Sequence, residues 1–105
     1  MTQLQQNSVK GLLVRVWGMD SEGKLFDANL HTMEITDLGA RLVGVVSSLR
    51  RGAIIGVECG QGRAAFRVAW IGQKGTPQEG QIGIRCLEQN KDIWGISRPS
   101  RYWKQ

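Results

Sequence analysis

Histidine and proline are scarce in this chain: one histidine, His31, and two prolines stand among 105 residues, with only two cysteines. That shortage speaks against a structural zinc, which takes about four Cys, His or carboxylate ligands. Neither Cys59 nor Cys86 belongs to a CxxC pair. Each falls in phase with the apolar residues of its segment, after Ile55 and Val57 or after Ile82 and Ile84, so both read as small buried hydrophobes. Neither has the charged flanks that would lower a thiol pKa. No secretory leader is recognisable, and the expected location is cytoplasmic. No apolar run approaches the roughly 20 residues of a membrane span, so no membrane is expected among the partners. Catalytic equipment is missing as well. His31 has no evident nucleophile partner, and the chain contains neither a GxxxxGK phosphate loop nor a cluster of paired carboxylates. The reading is a non-enzymatic domain without metal or cofactor.

What is abundant is glycine, fourteen residues of it, together with short alternating apolar stretches. Leu12, Val14 and Val16 alternate with Leu13, Arg15 and Trp17, the period of two that marks a strand. Lys24 to Thr36 continues in the same manner, with Met33 and Ile35 expected on one face and Thr32, Glu34 and Thr36 on the other. "AIIGVEC", "RAAFRVAWIG" and "QIGIRCLE" supply further strands, and "GQG" at 60–62 is a hairpin signal. The segment after Asn90 is expected to hold a helical turn around Asp92 to Trp94, ended by Pro99. Six or seven short strands with almost no helical period predict an antiparallel sheet closed into a small barrel.

Fourteen Lys and Arg against nine Asp and Glu leave a formal charge of +5. This favours anionic partners. The four tryptophans divide by phase. Trp70 follows Phe66 and Val68 and is expected in the core, whereas Trp17 has the opposite phase to Val14 and Val16 and is expected to cover the barrel's outside or to pack under the C-terminal segment. Trp94 and Trp103 are expected to anchor the C-terminal segment over the barrel. A base-stacking surface is the alternative for these rings, but basic residues do not interleave with them, so nucleic acid is disfavoured as a partner.

In order and spacing, "LLVRVWGMDSEGKLFDANLHTMEITDLGARL", "RVAWIG" at 67–72 and "GQIGIRCLEQNKDIWGI" at 80–96 resemble the PilZ domain family. The resemblance runs from about residue 10 to residue 98. It implies a PilZ-like six- or seven-stranded antiparallel β-barrel with a short C-terminal helical segment. It also implies a receptor for the bacterial second messenger cyclic di-GMP. The family's Asp/Asn-x-Ser-x-x-Gly motif corresponds to Glu34, Thr36 and Gly39. There a carboxylate accepts from guanine, a hydroxyl donates or accepts, and glycine lets the backbone approach. Glu34 adds a methylene to the family's acid. The family's Arg-x-x-x-Arg pair, which clasps phosphate and guanine, corresponds to Gln6 and Lys10, so neither guanidinium is present. The turn reading of the same stretch needs no ligand: Thr36-Asp37-Leu38-Gly39 joins two strands, with Asp37 bonding local amides and Gly39 at positive φ.

The expected organisation is a flexible arm over 1–9, a barrel over 10–98 and a tail over 99–105. The expected function is a stand-alone signalling module that binds cyclic di-GMP through Gln6, Lys10, Glu34, Thr36 and Gly39 and relays it to an effector protein. The alternative is a degenerate PilZ-like adaptor that binds no nucleotide and acts through protein–protein contacts.

Overall fold

A computed structural model describes residues 11–88 and 91–95. Six strands follow one another: β1 (Leu13–Met19), β2 (Leu25–Ile35), β3 (Gly39–Val43), β4 (Ile54–Cys59), β5 (Gly62–Ile71) and β6 (Gln81–Cys86). They close in the order β1-β2-β3-β6-β5-β4, with every neighbouring pair antiparallel. The all-β barrel expected from the alternation is therefore present. Closure pairs both sides of every strand, so no ladder of unpaired amides is left at an edge.

Alternation works because successive side chains of a strand point to opposite faces. Val14 and Val16 of β1, Ile55 and Val57 of β4, and Phe66 and Val68 of β5 all meet inside, with Leu42, Ile82 and Ile84. The turns follow local chemistry. Between Cys59 and Gly62 only two residues intervene, and Gly60 supplies the left-handed conformation with φ of 61°. Between β1 and β2 the Asp20 carboxylate accepts the amides of Glu22 and Lys24, both at 2.9 Å.

Two β-bulges interrupt the alternation. In β2 the register against β3 jumps between Thr32 and Glu34, and in β5 the register against β6 jumps between Val68 and Trp70. Each jump inserts one extra residue, Met33 or Ala69, and exchanges the inward and outward phases beyond it. Two expectations are corrected here. Thr32 is inward and only 2% exposed, its hydroxyl accepting the Leu12 amide at 3.1 Å, although strict alternation placed it outside with Glu34. Trp70 points outward at 39% exposure, although it was expected to follow Val68 inward.

Ile93 and Trp94 are buried at 4% and 6% and pack on the core, as expected of a C-terminal anchor. The Trp94 ring lies 5.8 Å from that of Phe66, tilted by 60°. Gly62 makes room for this segment, since a Cβ there would come within 2.8 Å of the Ile93 Cα. Residues 91–95 take an irregular path rather than the expected helical turn, with the Asp92 carboxylate accepting the Trp94 amide at 3.1 Å. Trp103 and the expected tail lie outside the described residues, as does the whole of the expected arm.

The opposite fates of the two tryptophans are measurable by urea denaturation. Trp94→Ala should cost about 3–5 kcal/mol, the usual range for a buried ring. Trp70→Ala should cost about 1 kcal/mol, since only part of its surface leaves water. Equal losses would contradict this placement.

Candidate functional site

The two bulges lie on one rung of the barrel. Glu34 pairs with Arg41, Arg41 with Gly83, and Gly83 with Trp70, so four outward positions line up across β2, β3, β6 and β5. Each bulge is what turns its end residue outward. Arg41 donates through Nη2 to Glu34 Oε1 at 3.0 Å, and its guanidinium carbon lies 5.9 Å from the Trp70 ring centroid. Trp70 rests over Gly83, where a Cβ would stand 3.4 Å from the Trp70 Cβ. The next rung brings Gly39 opposite Arg85. The result is an open groove of about 460 Å³, floored by the two glycines and walled by Glu34, Arg41, Trp70 and Arg85. A groove of similar size, about 510 Å³, lies beside Trp17 on the opposite wall, so it is the lining chemistry and not the volume that distinguishes this one.

Glu34, Thr36 and Gly39, three of the five candidate ligand residues, therefore share one groove. Gln6 and Lys10 lie outside the described residues. Thr36 shapes the β2–β3 turn: its Oγ1 accepts the amides of Leu38 and Gly39, both at 3.2 Å, and its own amide donates to the Gly39 carbonyl at 2.8 Å. Two amides of the turn, those of Leu38 and Gly39, thus go to Thr36. The Thr36 Oγ1 also lies 3.4 Å from the Gly39 carbonyl oxygen, within the same turn.

Gly39 is needed for a reason other than the expected positive φ. Its φ lies outside the left-handed region, but a Cβ would collide with the Ile84 carbonyl of β6. The glycine lets β3 and β6 approach. Glu34 keeps one oxygen open, because among the described residues only its Oε1 takes a hydrogen bond, from Arg41. With both partners 43% exposed, this ion pair adds little stability. It fixes where the two charged groups stand.

A second indole platform faces away from this groove. Trp17 covers Gly56, where a Cβ would collide with the indole, and the Arg15 guanidinium carbon lies 5.5 Å from the Trp17 ring centroid. Here every cation is answered. Arg15 contacts Asp27 at 2.6 Å and Glu58 at 3.7 Å, and Arg63 contacts Glu58 at 3.2 Å. The hydrogen bond from Arg15 holds the Asp27 carboxyl below its ordinary range, and Asp27 in turn raises Arg15. Burial pushes the Cys59 thiol up, away from the reactive thiolate.

Sequence reasoning did not single out Arg41, Gly83 or Arg85, and it placed Trp70 in the core rather than at the site. Arg41 had a signal, standing two residues after Gly39 and therefore on its face of β3. Trp70 and Gly83 had none, because their meeting depends on the bulge at Ala69. Comparison with known proteins adds no relative: no family model, curated protein or solved structure matches the chain.

Gly39→Ala should destabilise the fold by about 1–3 kcal/mol, as overpacking does, whether or not a ligand is present. Thermal melts of the variant without ligand check this, and an unchanged midpoint would refute the close approach. The lowered Asp27 pKa has a second consequence. Its stabilisation is present above the ordinary aspartate range and is lost as pH falls through the lowered value. Asp27→Asn should therefore lose less stability than the parent between about pH 5 and pH 2. Parallel melting curves over that range would contradict this.

Proposed function

We propose that this domain is a non-catalytic receptor for cyclic di-GMP that offers its occupied surface to an effector protein. The observation that carries the reading is the rung Glu34–Arg41–Gly83–Trp70. Guanine presents adjacent N1 and N2 donors on one edge, which suit a carboxylate such as Glu34. Its flat face suits an indole or a guanidinium plane, and the groove carries both, the Arg41 guanidinium lying over the Trp70 ring next to Gly83. The positive net charge favours the doubly anionic ligand. The resemblance to PilZ domains supports the same ligand on the same stretch, Glu34 to Gly39.

The adaptor reading has its own support. The Thr36 hydroxyl is engaged in a turn, and Glu34 is already neutralised by Arg41. Exposed Met19 and Leu25, paired across β1 and β2, offer a protein partner an apolar surface that needs no nucleotide.

Calorimetric titration with cyclic di-GMP at one fixed ionic strength separates the two. The receptor reading expects saturable binding by the parent and its loss in Glu34→Ala. It also expects that Gln6→Arg with Lys10→Arg tightens binding by about tenfold or more, through added charged hydrogen bonds. Absence of binding by both the parent and the double variant would leave the adaptor reading.

A further inference from the structure

The outer wall of β5 and β6 carries an arrangement that the fold alone disfavours. Arg67 and Arg85 stand directly opposite each other, both exposed, and like charges at such positions repel. Among the described residues neither forms an ion pair. Arg67 donates only to the Gly52 carbonyl, at 3.3 Å. On the far wall, by contrast, Arg15 and Arg63 are both matched by Asp27 or Glu58. Among the described residues, the barrel therefore matches Arg15 and Arg63 with carboxylates on one side and leaves Arg67 and Arg85, at paired positions of β5 and β6, without one on the other. Arg85 lines the candidate groove.

We infer that Arg85, with Arg67 beside it, is a phosphate-binding pair belonging to the barrel wall. An anionic phosphodiester bridging the two forks would convert their repulsion into charge-assisted hydrogen bonds, which planar guanidiniums make in bidentate form. Resting on the receptor reading, this assigns the phosphates of the ligand to β5 and β6 while the base occupies the rung of Trp70 and Arg41. It also explains how a chain with Gln6 and Lys10 in place of two arginines retains guanidinium contacts to phosphate.

The test uses the full chain, Arg85→Gln, Arg67→Gln, and Arg63→Gln as a control that removes one positive charge from the opposite wall. Thermal midpoints are compared in sodium pyrophosphate and in sodium chloride of equal ionic strength, so that screening cancels. Pyrophosphate should raise the midpoint of the parent and of Arg63→Gln, and should leave that of Arg85→Gln where chloride leaves it. Equal shifts in the parent and Arg85→Gln, or no shift in either, would overturn the pair as an anion site. Cyclic di-GMP affinity is measured on the same proteins. Arg85→Gln should weaken it by about tenfold or more, as expected for loss of a charged hydrogen bond. Unaltered affinity in Arg85→Gln would overturn the pair while the receptor reading stands. A parent that fails to bind cyclic di-GMP but gains an Arg85-dependent pyrophosphate shift would overturn the receptor reading and leave the anion site.

Discussion

The outer face of the wall formed by β2, β3, β6 and β5 is arranged by where the alternation breaks. A closed six-stranded sheet assigns each residue to the core or to the surface by parity, and one inserted residue reverses the assignment beyond it. The insertions at Met33 and Ala69 flank the β3–β6 pair at the same level. They keep Thr32 and Val68 inside on one side of the break and Ile35 and Ile71 on the inward phase on the other. They also send Glu34 and Trp70 outward at opposite ends of one rung. Without either bulge the groove would lose a wall and the core would receive a carboxylate or an indole.

The two tryptophan platforms show how one construction serves different ends. Each sets an indole on a glycine of the neighbouring strand and brings an arginine near the ring. Around Trp17 the charges cancel in a chain from Asp27 through Arg15 and Glu58 to Arg63. Such a ladder is a solvated surface with its fields closed on itself. Around Trp70, among the described residues, only Arg41 finds a carboxylate, and Arg67 and Arg85, at paired positions, have none. A protein tolerates a few tenths of a kilocalorie of repulsion at the surface readily, and the pair leaves the surrounding field open to an anion.

Much of the architecture was legible from residue order. The period of two in β1 and β4, the glycine turn at 60, and the placement of Ile93 and Trp94 all followed from local rules that the barrel obeys. The direction of Trp70 was not legible, because a bulge adds a residue without any compositional mark at Ala69. The same holds for Thr32, whose burial is compensated by a hydrogen bond to Leu12 from outside its own strand. For the site, the stretch from Glu34 to Gly39 was readable as a motif. The reason for Gly39 was not, since it lies in the nearness of β6, more than forty residues further along the chain. Arg85 became a candidate only once closure had set it beside Gly39 and Arg67.

If the domain is a cyclic di-GMP receptor, the dinucleotide lies on the rung joining Glu34, Arg41, Gly83 and Trp70. Tryptophan indole N–H signals in a ¹⁵N-correlated NMR spectrum report on it directly, with Trp70→Phe identifying one resonance. Addition of the dinucleotide should move the Trp70 signal and leave those of Trp17 and Trp94 in place. A displaced Trp17 signal with Trp70 unmoved, or no displacement at a saturating excess, would contradict the account.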